Sequence, residues 1–275
     1  MAVTSPSYGY KEAVVFDGGT VSGVVQLSGA VPSPRAFRVK RAPFSEYCEK
    51  ISDGKGNIIL EEYHVGSDGQ MQDVIISVQD IQSGKPFHPV QMRFNATDCM
   101  FHPADIPHEE MVDMDHHGTI RHIHPLVAIL QNHQPLYVTN QDPILHNGQV
   151  FQKESGHTLL NFPLPADASQ TMGGTLHVER KGKIVQMICG MHDFMQTFGM
   201  VVDNPYYTKT KRDGQFVIDQ LPPGTHTVTA WHPHFKPITK KVTIPENGGV
   251  ALNFVFDAKE VRQRTFESIE GLSRQ

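Results

Sequence analysis

Cys189-Gly-Met-His192-Asp-Phe-Met195, set behind an isolated Asp142-Pro-Ile-Leu-His146-Asn147, decides how this chain is read. One thiolate, two imidazoles and one thioether form the donor set of a one-electron copper site. Soft sulfur holds Cu(I), imidazole serves either oxidation state, and a weak axial thioether lets the ion cycle with little rearrangement. The spacing suits a loop between two strands that turns Cys189, His192 and Met195 toward one point, while His146 arrives from a neighbouring strand end. Leu136-Tyr-Val-Thr139 is an apolar run closed by the polar turn Asn140-Gln-Asp-Pro143, which places His146 just past a strand. Lys183-Ile-Val-Gln-Met-Ile188 is β-prone and delivers Cys189, and Phe198-Gly-Met-Val-Val202 leads away from it.

Outward from this motif the chain reads as all-β. Gly19-Thr-Val-Ser-Gly-Val-Val-Gln-Leu-Ser-Gly29 alternates as a strand and runs into the bend Val31-Pro-Ser-Pro34. Ser52-Asp-Gly-Lys-Gly-Asn57 and Val65-Gly-Ser-Asp-Gly-Gln70 read as turns, the second leading into Asp73-Val-Ile-Ile-Ser-Val78. No long window carries a helical period. Toward the C-terminus, Asp213-Gly-Gln-Phe-Val-Ile218, Leu221-Pro-Pro-Gly-Thr-His-Thr-Val-Thr-Ala-Trp231, Lys241-Val-Thr-Ile244 and Val250-Ala-Leu-Asn-Phe-Val-Phe256 form a second β set. The 275 residues divide into an N-terminal arm, 1–17, a large domain with insertions, 18–203, a small β-domain, 204–258, and a charged tail, 259–275, in which a short helix is plausible.

The ligand set and its two-plus-two loop spacing resemble the cupredoxin family, with amicyanin-like spacing, and Asn147 directly after the first histidine matches that pattern. Gly190, Met191, Asp193 and Phe194 stand where that loop usually carries prolines. Tyr47-Cys48, Ser52-Asp-Gly-Lys-Gly56 and Gly84-Lys-Pro-Phe87 are similar to a group of secreted plastocyanin-like proteins. The D-x-G-x-F…L-P-P-G-x-H-x-V run resembles the prealbumin-like regulatory domain found beside carboxypeptidases. The resemblance implies an enlarged Greek-key β-sandwich followed by a smaller one. It further implies one type 1 copper held by His146, Cys189, His192 and Met195, and single-electron carriage rather than catalysis. In that picture Asn147 braces the cysteine loop, Phe194 keeps water from the metal and Asp193 lowers the potential. His192 is then the exposed ligand through which electrons pass, to a redox partner such as a cytochrome c or a respiratory complex.

Several alternatives are excluded or left open. Cys189 is flanked by Ile188 and Gly190 rather than by the histidines that would wire it to a trinuclear cluster, and the loop has no second cysteine. No Cys-x-x-Cys-His exists, so covalent haem is excluded. A net charge of −5 argues against nucleic acid, and no apolar run approaches the roughly 20 residues of a bilayer span. Of three cysteines, a metal-bound Cys189 leaves Cys48 and Cys99 as a disulfide or as two buried thiols. The disulfide implies a periplasmic or extracellular setting. Met1-Ala-Val-Thr-Ser-Pro6 lacks the basic start and apolar core of a signal peptide, so either a signal has been removed or the protein is cytoplasmic, and the copper set favours the first. Within the insertion at 101–124, His102, His108, His116, His117, His122 and His124 could hold a second metal or serve as a docking loop. The competing functions are a copper carrier or store, and a scaffold or adhesion module of a larger complex.

Overall fold

A computed structural model of the chain describes residues 9–167, 170–178 and 183–262. Its regular structure is nearly all β, arranged in several open sheets. Two compact units emerge, and they do not follow the linear boundaries at 18 and 204. Of the described residues, one unit gathers 9–32, Tyr63–Pro89 and 202–262; the other gathers Ser33–Glu62 and Val90–Val201.

The first unit contains the 204–258 stretch together with strands from earlier in the chain. Its four-stranded sheet runs Tyr207–Lys209, Ile75–Gln79, Gly224–Trp231, Ile238–Ile244, all antiparallel. A second sheet is centred on Gly19–Ser28, which pairs antiparallel with Gln215–Leu221 and parallel with Gly249–Ala251 and Phe254–Asp257. The C-terminal strands alone would leave open edges and uncovered apolar faces. Gly19–Ser28 and Ile75–Gln79 close them, burying Val21, Val25, Ile75 and Ile76 completely against Val228, Ala230 and Phe254. The arm is docked here as well. Lys11–Glu12 pairs with Ser83–Gly84, the Glu12 carboxylate accepts from the Phe87 N–H, and the Tyr10 hydroxyl donates to the Lys85 carbonyl.

The second unit carries the motif. Its five-stranded sheet runs Val127–Gln131, His192–Val202, Ile184–Cys189, His146–Gln152, Thr158–Leu164. A four-stranded sheet runs Thr171–Thr175, Pro135–Asn140, Met92–Thr97, Met100–Pro103. Val150, Leu164, Val185 and Met187 of the first share one core with Phe94, Leu136 and Val138 of the second. His146–Gln152 alternates strictly between buried and half-buried, as a strand with one face in a core must.

The 101–124 stretch is not a bare loop. It contributes Met100–Pro103, Val112–Met114 and Ile120–Ile123, the last two antiparallel and Ile120–Ile123 joined to Asn57–Leu60. The Asp115 carboxylate accepts from the His117 and Thr119 N–H groups and Gly118 takes φ 79, which closes that hairpin. Cys48 and Cys99, both fully buried, form a disulfide. A bridge spanning 51 residues contributes about 4 kcal/mol in a chain-entropy treatment. The helix expected in the tail lies outside the described residues beyond a short 3-10 turn, Ala258–Glu260. Among the described residues no helix is long and apolar enough to cross a membrane.

Candidate metal centre

The motif forms a tighter feature than a seven-residue loop. Ile184–Cys189 and His192–Val202 make a hairpin whose turn is only Gly190–Met191, with Cys189 opposite His192. His146 opens the adjacent strand, where Gly148 pairs with Cys189. A side chain at 190 would meet the Asn147 Oδ1 at 2.7 Å and the Gln149 Nε2 at 2.9 Å, so those two side-chain ends would have to swing aside.

Three of the four expected ligands converge. The Nδ1 atoms of His146 and His192 lie 3.1 Å apart, and the Cys189 Sγ is 3.7 Å from the first and 3.4 Å from the second. Met195 stands in the same strand as His192, 1% exposed. Asn147 does brace the cysteine, but with its main chain: its N–H donates to the Cys189 Sγ at 3.4 Å and its carbonyl accepts from the Gly190 N–H at 2.8 Å. Its side-chain amide instead donates to Asn161 and the Phe162 carbonyl. Phe194 is buried with its ring centroid 5.6 Å from that of His192, and Asp193 is exposed.

Two partners fix the imidazoles from behind. The His192 Nε2 sits 2.8 Å from the Pro43 carbonyl oxygen, which can only accept. The His146 Nε2 sits 2.8 Å from the Asp142 carboxylate. Asp142 already accepts from the Tyr47 hydroxyl and from the Asp98 and Cys99 N–H groups, at 2.7–2.9 Å. Both rings therefore carry hydrogen on Nε2, and both Nδ1 atoms face one another and the sulfur; without metal a proton held at Nδ1 is donated to the sulfur, and a bound cation would take that proton's place. Three electron-rich atoms pointing at one spot in a fully buried pocket call for a cation.

The local electrostatics match. Burial pushes the Cys189 thiol up, but hydrogen bonds from His146, then His192, then the Asn147 and Met191 N–H groups outweigh it and bring the pKa down to about 6 from 9.0. Burial disfavours charge on His146, yet Asp142 and Cys189 raise its pKa. Burial also works against the Asp142 carboxylate, and His146, the Cys99 N–H and Tyr47 hold it below the usual range.

A titration of the metal-free protein checks this. The thiolate ultraviolet absorption is expected to appear with a midpoint near pH 6; a midpoint near 9 contradicts the geometry. Because the folded value is depressed, the stability this group contributes is complete above its unfolded pKa near 9 and is lost as pH falls toward 6.

Two expectations are corrected. His192 is not the exposed ligand: it and His146 are both 0% exposed, because the segment through Pro43 covers it. The histidines of 101–124 do not assemble. His102 is buried between the Pro103 carbonyl and the Thr97 hydroxyl, His122 lies 3.7 Å from the Asp113 carboxylate, and His116 and His117 stack at the exposed hairpin tip. His124 donates its N–H to the Met111 carbonyl, and the side chain of His108 lies outside the described residues. Among the described residues, only two groups of three His, Cys, Asp or Glu place donor atoms within 4.8 Å: His146–Cys189–His192, and Cys99–Asp142–His146. The second contains a disulfide sulfur and is the support of the first. Asp142 and Pro43 were missed in sequence; the only signal was an acidic residue four positions before a ligand.

Comparison with known proteins adds the following. Residues 200–257 match the family model of the carboxypeptidase regulatory-like domain. No curated protein matches the chain. Among solved structures, the chain is similar to a purple cupredoxin from Nitrosopumilus maritimus, at 18% identity over 41% of this chain and 100% of that one, TM-score 0.25. It is also similar to a methionine-to-alanine mutant of amicyanin in the Cu(I) form, at 10% identity over 46% of this chain and 98% of that one, TM-score 0.26.

Proposed function

We propose that this protein is a single-copper electron carrier that works in an oxidising compartment. The observation that carries the proposal is the convergence of the His146 and His192 Nδ1 atoms and the Cys189 Sγ on one buried spot. Cys189, His146 and His192 would hold the ion, with the Met195 thioether as a fourth donor, and copper bound there would supply a one-electron couple. The chain's own part is to keep that couple rigid and dry. The hairpin sets Cys189 against His192, Asp142 and Pro43 lock the ring planes, and Phe194 and Met195 exclude water. With both imidazoles buried, one bonded way outward runs from His192 through Pro43 to Phe44, which is 49% exposed. A redox partner protein would dock over that segment. The buried disulfide fits the periplasm or cell exterior.

The test is copper loading of the metal-free protein. One tightly held equivalent with intense visible absorption is expected, bleached by ascorbate and restored by ferricyanide over repeated cycles. Weak or colourless binding, or copper lost on each reduction, overturns the proposal.

A further inference from the structure

A second pair of imidazoles meets elsewhere in the same unit. His133 occupies the turn between Val127–Gln131 and Pro135–Asn140, and His177 follows the strand Thr171–Thr175. Their Nδ1 atoms are 3.0 Å apart, with ring centroids at 4.9 Å and planes at 65°. The contact is exposed to solvent.

The frame beneath the two rings is fixed. His133 N–H donates to the Leu176 carbonyl at 2.8 Å, and Leu176 N–H donates back to the Gln134 carbonyl at 3.0 Å. The Asn132 side chain clamps the far side, donating to the Val178 carbonyl at 2.7 Å and accepting from the Val178 N–H at 2.9 Å. His133 takes φ 60, a left-handed backbone that the turn enforces. Two ring nitrogens are thus presented side by side from antiparallel segments that are already tied together, so little chain entropy is left to lose on binding.

We propose that His133 and His177 form a surface metal site for a borderline divalent transition ion, Cu(II) above all, with water completing its shell. With metal–nitrogen bonds of about 2.0–2.1 Å, nitrogens 3.0 Å apart subtend roughly 95° at the ion. That is the cis angle of a tetragonal site rather than the wider tetrahedral one, which selects Cu(II) over Zn(II). The separation is close to the 3.1 Å between the two imidazole nitrogens of the buried centre. The two sites differ in everything else. This one lacks sulfur and lies open to solvent, so its ion would exchange with the medium and accept an outside ligand.

The experiment starts from protein carrying one copper and adds Cu(II), followed by electron paramagnetic resonance and calorimetry. A second equivalent with a tetragonal, nitrogen-split signal is expected, leaving the first signal and the visible absorption unchanged. His177→Ala is expected to weaken the second equivalent at least tenfold, and the double variant His133→Ala/His177→Ala to abolish it. Absence of the second equivalent overturns the proposal, leaving an imidazole–imidazole hydrogen bond only. Its persistence in the double variant also overturns it. Should the buried centre fail to colour while a His133- and His177-dependent Cu(II) still binds, the electron-carrier proposal falls and this one stands.

Discussion

Replacing Cys189 with serine is expected to abolish the intense visible absorption of the copper-loaded protein completely. A serine hydroxyl does not ionise near neutral pH, so the anionic donor that the two imidazoles hold in place is lost. The fold should survive. Cys189 is the end of a strand paired on both sides, and the change from sulfur to oxygen removes little volume. The variant is therefore expected to keep its β-sheet circular dichroism and its Cys48–Cys99 bridge. Cu(I) affinity should fall by more than the roughly 10–100-fold that removal of an outer partner costs. A Cys189→Ser protein that stays blue would place the thiolate elsewhere, and neither remaining cysteine is available, since both are in the disulfide.

The second large effect belongs to Asp142. Its carboxylate is fully buried and accepts four hydrogen bonds, from the Tyr47 hydroxyl, the Asp98 and Cys99 N–H groups and the His146 Nε2. Asp142→Ala would leave all four donors without their acceptor, the Cys99 N–H and His146 Nε2 among buried residues. Removing one member of such a buried charged network costs about 3–5 kcal/mol. Denaturant midpoints should show that loss in the metal-free protein. Metal affinity should drop about 10–100-fold as His146 loses its orientation. Asp142→Asn separates charge from packing. It keeps the volume and one acceptor oxygen, which can still serve the Cys99 N–H and His146, but its NH2 then faces the Tyr47 hydroxyl and the Asp98 N–H, so only part of the fold stability should return. The copper potential should nevertheless rise, because a negative charge that favours Cu(II) is gone. An unchanged potential in Asp142→Asn, with a normal visible spectrum, would show that the carboxylate only fills space.

What was legible in the sequence follows from how local each signal is. Alternation in Gly19–Ser28 and His146–Gln152 is a period-two pattern, and a strand shows it wherever it ends up. The Cys189–His192 spacing is a property of one hairpin, so its residues could be assigned from four positions alone. The division into units was not legible, because it rests on pairing between strands at opposite ends of the chain, such as Val25 with Phe254. Nothing in either strand names its partner. Pro43 was invisible for a sharper reason: it acts through a backbone carbonyl, and every residue has one. That contact, and the cover it brings, is why His192 is buried where an exposed edge was expected. His133 and His177 went unnoticed because neither sits in a dense stretch; the turn geometry brings them together. The dense stretch, by contrast, spends its histidines on a hairpin tip and a buried contact with Thr97.

The hydrogen bonds behind both imidazoles lead to one short stretch of chain. Pro43 takes His192, Tyr47 reaches Asp142 behind His146, and the next residue, Cys48, is tied to Cys99, whose own N–H completes the Asp142 cradle. Maturation then has a natural sequence. Oxidation of the cysteine pair would come first, taking two thiols out of competition for Cys189 and setting the scaffold into which the ion drops. If the protein is the copper carrier proposed above, a newly made chain kept reduced would be a poor copper acceptor, and the bridge would tie metal acquisition to arrival in an oxidising compartment.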